Sequence, residues 1–310
     1  MSKSKVNKVY LTITIDTECD HDPNWVRSKP LTFNSITKGI PELLQPAFKQ
    51  VGAIPTYLLT VEVMEDNDCI AALKSLKGNY EYGTHLHAAF IEPEKKFYDY
   101  AGVDSPDFQC QYSKDVEFKK LENLTNLFIE KFGYAPSSFR AGRYGAGINT
   151  FELLEKLGYK VDTSVTPHMS WVEPKAKVNY QYAPEQPYFP KLGSLINVDN
   201  RHNKTILEIP ITVKRQWLRQ PAWFRPWFSS VEKMKEIVQY HLEHYSGNEI
   251  LELNMMFHSM EVIPKASPYP QSGCDVQRFI DDMCEVLSWC KGEGIEFCKT
   301  KDFYNKYIHL

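Results

Sequence analysis

The sequence lacks an apolar run of about 18 residues, the length a membrane-crossing helix requires. It lacks a charge of one sign: 36 Lys and Arg against 39 Asp and Glu leave a formal net charge of −3, which gives no reason to expect nucleic acid as a partner. It has no Cys-x-x-Cys pair. Its seven cysteines (Cys19, Cys69, Cys110, Cys274, Cys284, Cys290, Cys298) are scattered and odd in number, which argues against a cysteine-ligated zinc site and suits reduced, buried thiols in a cytoplasmic protein. The glycines at 142, 145 and 147 run G-x-x-G-x-G, so the dinucleotide-binding order G-x-G-x-x-G is missing. Internal repeats and low-complexity segments are absent. The basic start, Met1 to Lys8, leads into a strand of seven or so residues rather than the longer apolar region of a secretory signal, so a cytoplasmic location is expected.

What is present is a chain of 310 residues, 43% hydrophobic and 24% charged, long enough to bury a large core within one domain spanning 1–310. Strands are expected over Val9–Ile15, Ala53–Thr60, the run ending at His87, Tyr159–Val165, Thr205–Val213, Glu249–Phe257 and Gly294–Cys298, each rich in β-branched or aromatic residues. Helices are expected over Ile40–Gln50 with Pro41 in the first turn, Asn67–Leu76, Val116–Phe132, Thr150–Leu157 with Asn149 and Glu152 as a capping box, Ser229 to about Tyr245 with Glu232 in the cap, Asp275–Cys290 and Asp302–Tyr307. Ile91–Tyr112 and Pro167–Asn203 read as long loops. Some seven alternations without a composition break predict parallel strands with crossover helices, hence an α/β fold: a distorted (β/α)-barrel of about seven parallel strands.

Five of the strand ends carry reactive groups. Asp16 and Glu18 close the first strand, two residues apart, and His85 and His87 repeat that spacing in Gly83-Thr84-His85-Leu86-His87. Side chains at i and i+2 of a strand share a face, so each pair aims into one space. Arg140, Asp162 and His258 stand at three further strand ends. In a parallel barrel all strand C-termini open on one side, so groups spread over some 240 residues would converge there. His21, His168, His202, His241, His244 and His309 fall in loops or helices and are read as surface residues.

These motifs, in this order over about residues 9 to 300, resemble the polysaccharide deacetylases (NodB-homology, carbohydrate esterase family four). The matching segments are Thr14-Ile15-Asp16-Thr17-Glu18, Gly83-Thr84-His85-Leu86-His87, Phe139-Arg140-Ala141-Gly142, Val161-Asp162-Thr163-Ser164 and Leu251 to Glu261 with His258. A cytoplasmic-type branch with Gly-x-His-Leu-His and Phe-Arg-Ala-Gly-Arg cores is the better match. The chain departs from most members in having Ala89 where a second metal histidine stands, and Asp16-Thr17-Glu18 where adjacent aspartates stand.

The resemblance implies removal of an N-acetyl group from an amino sugar or glycan intermediate. Glu18, His85 and His87 would hold a divalent ion, zinc first, with cobalt, manganese, nickel or iron as alternatives; His87 or a water would replace the ligand missing at Ala89. Asp16 would act as base, Arg140 would hold it, His258 would be the acid, and Asp162 would orient His258. A backbone N–H in the His87 to Phe90 loop or near Tyr144 would face the oxyanion. The alternatives are a metal-assisted amidase for a small non-sugar amide, a catalytically silent glycan-binding relative, and an interaction protein without metal. The aromatic cluster from Trp217 to Phe228, set among Arg215, Arg219 and Arg225, is read as structural packing or an oligomer contact ahead of sugar stacking or peripheral membrane contact.

Overall fold

The computed structural model describes residues 8–27, 29–96, 108–173, 176–199, 205–246 and 249–309. Its strands are β1 (Lys8–Thr17), β2 (Pro55–Leu59), β3 (Glu81–Leu86), β4 (Ser138–Ala141), β5 (Val161–Asp162), β6 (Ser170–Glu173), β7 (Ala176–Asn179), β8 (Leu207–Glu208), β9 (Val213–Lys214), β10 (Ala222–Trp223), β11 (Ile250–His258) and β12 (Glu296–Phe297). Its α-helices are α1 (Gln45–Val51), α2 (Val61–Glu65), α3 (Asn67–Ser75), α4 (Lys114–Phe132), α5 (Thr150–Lys156), α6 (Val231–His244), α7 (Gly273–Gly292) and α8 (Thr300–Tyr307).

The main sheet runs β11-β1-β2-β3-β4-β5-β8, and every neighbouring pair is parallel. These seven strands form the curled, distorted barrel that the alternation predicts. An eighth, β12, pairs with Tyr10 and Leu11 of β1, below the point where β2 begins its own pairing at Ile13.

Strand alternation decides which side chains meet. Leu11, Ile13 and Ile15 of β1, with Leu251, Leu253, Met255 and Phe257 of β11, belong to the large apolar core shared with the helices. The residues between them turn to the opposite face and pair with one another. Thr12 Oγ1 donates to Glu252 Oε1 (2.6 Å) and Thr14 Oγ1 to Asn254 Oδ1 (2.8 Å). Between the apolar contacts of Tyr10 and Met256 this stretch of the inward rows is therefore polar, and Asp16 and His258 end the rows at the C-terminal rim.

Among the described residues β8 and β11 share no ladder, and Gln186 and Thr212 join that seam instead. Gln186 donates Nε2–H to Glu252 O (3.0 Å) and accepts from Glu252 N–H at Oε1 (3.0 Å). Thr212 N–H donates to Asn254 O (3.1 Å), and Asn254 N–H to Thr212 Oγ1 (2.8 Å).

Several local expectations are corrected. The first helix begins earlier, as a wide π-type helix over Ser35–Leu44 that runs on into α1, so Pro41 lies inside it rather than in its first turn. Asp20 anchors its start by accepting from the backbone N–H groups of Asn34 and Ser35 (2.7 and 2.9 Å). Asn149 makes no side-chain cap; Glu152 is drawn instead to Lys114 and Lys156, each at 2.7 Å. The cap of α6 is Ser230, not Ser229, with Lys233 N–H donating to it. The strand expected over Thr205–Val213 shrinks to β8, and Val213 pairs antiparallel with Trp223. The expected loop Pro167–Asn203 contains the β6–β7 hairpin. Residues 97–107, within the other expected loop, lie outside the described residues, as do His202 and the start of the chain.

Candidate active site

Asp16 ends the inward row of β1 and Arg140 ends that of β4. Arg140 is fully buried. It donates from one Nη to Asp16 Oδ1 (2.5 Å), from the other to Thr14 Oγ1 (2.5 Å), and from Nε to Thr163 O (2.8 Å). That leaves Asp16 Oδ2 turned to the cavity, 3.8 Å from His85 Nε2 and 3.8 Å from His258 Nε2. Burial opposes the charge on Asp16, but Arg140, His85 and His258 outweigh it and hold its pKa below the ordinary carboxylate value.

Glu18 sits just past β1. Its Oε1 lies 3.3 Å from His85 Nε2 and 3.3 Å from His87 Nε2, and 3.9 Å from His258 Nε2. Its Oε2 accepts from Arg27 (3.1 Å). Burial works against ionisation, yet His87 and His85 hold Glu18 well below its usual range. His85 Nδ1 stands 3.0 Å from Arg140 O. A carbonyl can only accept, so Nδ1 carries a proton and Nε2 is the nitrogen that faces Glu18. Burial lowers the affinity of His85 for a second proton, but Asp16 and Glu18 reverse this and raise its pKa. At His87 burial wins over Glu18, and the pKa is lowered. Gly142 makes room for this ring: a Cβ there would stand 2.7 Å from Leu86 O and 2.9 Å from His87 Nδ1.

His258 ends β11, opposite Asp16 in register. Its Nδ1 lies 2.9 Å from Glu261 Oε1, and Glu261 is ion-paired with Arg225. The contact expected between Asp162 and His258 does not form. The residue after Asp162, Thr163, turns inward to Arg140 and Asn254, so Asp162 points to the other face of the strand. There it accepts from Ser164 Oγ (2.8 Å) and lies against Glu208. Burial raises the pKa of both carboxyls, and the charge of Asp162 adds to the rise at Glu208.

Asp16, Glu18, His85, His87 and His258 line one cavity of about 320 Å³, together with His21, Trp25, Arg27, Arg143 and Tyr144. From the sequence alone no role falls to the side chains of His21, Trp25, Arg27 and Arg143, and Tyr144 is marked only for a nearby backbone N–H. His21 is not a surface residue. Both its ring nitrogens are buried without a hydrogen bond, and burial pushes its pKa down to about 3 against the pull of Glu18. Arg143 and Tyr144 hold left-handed φ values of 55° each, and strain of this kind gathers at functional sites. The available signal was their place directly after the strand that carries Arg140. His241 is likewise buried rather than exposed, with Nε2 at 3.0 Å from Val213 O. The aromatic cluster divides: Trp223 and Phe224 are buried, Trp227 stacks between Tyr269 and Phe279, and Trp217 and Leu218 project at 90% and 85% exposure.

No protein-family model matches the sequence, and no curated protein does. Solved structures do share its fold. A Pseudomonas aeruginosa PAO1 protein assigned as a polysaccharide deacetylase aligns at TM-score 0.56 and 14% identity, over 96% of this chain and 90% of that one. The Puue allantoinase aligns at 0.54 and 13%, over 98% and 90%. A Mycobacterium smegmatis protein assigned as a polysaccharide deacetylase aligns at 0.51 and 12%, over 99% and 91%. The chain therefore has the distorted barrel fold of these proteins along nearly its whole length.

Proposed function

We propose that this chain is a metal-dependent hydrolase that removes the acetyl group from the nitrogen of an amino sugar or glycan intermediate. The observation that carries the reading is the convergence of Glu18, His85 and His87 on one point, beside an Arg-held aspartate and a second-side histidine. The fold shared with proteins assigned as polysaccharide deacetylases supports it.

The donor set fits a divalent ion. In a tetrahedral site with bonds of about 2.1 Å, ligand atoms stand about 3.4 Å apart; Glu18 Oε1 is 3.3 Å from each histidine Nε2. His87 Nε2 is buried with no hydrogen bond, an unpartnered nitrogen that a metal would satisfy. One carboxylate and two imidazoles suit zinc, and equally cobalt, nickel, manganese or iron. When bound, such an ion supplies Lewis-acid polarisation of the amide carbonyl and makes water more acidic.

The chain's own groups divide the proton work. Asp16, kept ionised by Arg140, takes a proton from the attacking water at Oδ2, the oxygen Arg140 leaves free. His258, acting as an imidazolium with protons on both ring nitrogens, gives the one on Nε2 to the sugar nitrogen as the C–N bond breaks, releasing acetate and a free amine. Arg27 fixes Glu18 Oε2, so that Oε1 alone is offered inward.

A second reading, hydrolysis of a small non-sugar amide, is favoured by the size of the cavity. At about 320 Å³ it stands near the lower end of the range of about 300–1,000 Å³ common for small-molecule sites. The test is acetate release by zinc-loaded protein from N-acetylhexosamines, their short oligomers and simple acetamides. Turnover of the amino sugars, lost by about 10²- to 10⁴-fold in Asp16→Asn as for other positioned bases, is expected. Turnover of acetamides alone selects the second reading, and no release from any of them sinks both.

A further inference from the structure

Glu261 follows His258 by three residues, on the short 3₁₀ turn Ser259–Val262, and is fully buried. One of its oxygens gathers every contact at this corner. Oε1 accepts from His258 N–H (3.2 Å), lies 2.9 Å from His258 Nδ1, and is the partner of Arg225. Its other oxygen, Oε2, is buried without a hydrogen bond. Arg225 is buried as well. Phe228 lies beneath its guanidinium at 4.1 Å, and Tyr269 stands at 5.7 Å. Trp25 packs against the His258 ring, with centroids 5.2 Å apart.

Two tautomers could answer this geometry. Arg225 Nη2 also stands 3.1 Å from His258 Nδ1 and could donate to it, which would put the ring proton on Nε2. Three facts favour the other assignment. Glu261 Oε1 is the nearer neighbour and is an acceptor only. The charge of Arg225 is already committed to that same oxygen, and two donors on one oxygen necessarily lie close together. A buried carboxylate also binds an imidazole N–H more strongly than a neutral acceptor does.

We infer that Glu261, fixed by Arg225, is the positioning residue that turns His258 Nε2 toward Asp16 and Glu18. Asp162, the carboxylate expected in that role, faces another part of the molecule. The inference rests on the hydrolase reading above for its kinetic consequence, but not for its geometry. Arg225 joins the site from the segment after β10, so the corner links three stretches of chain: Trp25, Arg225 and the turn after β11.

The experiment has two arms on zinc-loaded full-length protein. In the first, ¹⁵N NMR of the His258 ring, assigned by its loss in His258→Ala, reads the neutral tautomer directly. The proton is expected on Nδ1; a proton on Nε2 overturns the inference, whatever the protein catalyses. In the second, kinetics are compared for Glu261→Gln and Glu261→Leu. Because the Leu variant strands a buried arginine, Arg225→Leu/Glu261→Leu serves as the version with neither charge. The loss expected in kcat for the Leu variants is about 10- to 100-fold, as for other carboxylates that orient an imidazole, with KM within about twofold, zinc content unchanged and much of the activity recovered in Glu261→Gln. Full kcat in the double variant, where His258→Ala is inactive, overturns the positioning role. Full activity in His258→Ala itself instead removes the acid role proposed above and leaves the tautomer measurement to decide the orientation.

Discussion

Arg140 is the largest fully buried side chain among the described residues, and it spends its donors on Asp16, Thr14 and Thr163. Removing a partner from a buried ion pair leaves the other charge desolvated, which costs about 3–5 kcal/mol. Arg140→Met is therefore expected to lower the free energy of unfolding, measured by urea denaturation, by that order. The double variant Arg140→Met/Asp16→Asn should recover part of the loss, and a single variant as stable as the parent would contradict the pairing. A second residue-scale prediction concerns Glu252. Burial pushes its pKa up to about 8, although Thr12 donates to it. Its folded pKa lies above its unfolded value near 4.5, so the folded state holds the extra proton. Stability is then greatest below the unfolded value and falls as pH rises toward 8. Glu252→Gln removes this penalty while keeping an acceptor for Thr12, so it should melt higher than the parent at pH 8 and alike at pH 5. Equal melting at both pH values would show that Glu252 ionises freely.

At the scale of elements, the seam between β8 and β11 is where the fold depends most on individual side chains. Gln186→Ala deletes two hydrogen bonds and leaves Glu252 N–H and C=O unpaired in a buried setting, a loss of about 1–3 kcal/mol. Amide exchange at Glu252 should accelerate while that at Leu11 and Ile13, in the paired interior of β1, stays slow; unchanged exchange at Glu252 would mean another group closes the seam. The same scale explains what could be read from the sequence. β1, β3 and β11 alternate in hydrophobicity or end on paired reactive residues, and long-range pairing reinforces those local patterns. β8 and β9 did not follow the expected strand, because Thr212 and Asn254 use their side chains and backbone to bridge a gap, which no period-2 pattern encodes. Asp162 shows how a correct strand can still mislead: a one-residue step decides the face, and Thr163 rather than Asp162 points inward. Glu261, Arg225, Trp25 and His21 became legible only when the loops were in place, since nothing local in their spacing marks them as neighbours of Asp16.

For the molecule as a whole, the proposed hydrolysis takes place in one cavity at the C-terminal rim of the barrel. Among the described residues, no helix is long and apolar enough to cross a membrane. The five rim residues Asp16, Glu18, His85, His87 and His258 come from three strand ends, and the barrel brings them together within a few ångströms. The proposed ligands Glu18, His85 and His87 must shed any proton they share before a cation enters, and the raised pKa of His85 makes that step unfavourable as pH falls. The most direct measurement is the metal content of purified, zinc-equilibrated protein after exhaustive removal of free ion, for the parent and for Glu18→Ala, His85→Ala and His87→Ala. The account predicts about one equivalent in the parent and a loss in each of the three variants, all of them folded. A parent that retains no metal, or three variants that retain it undiminished, would contradict it.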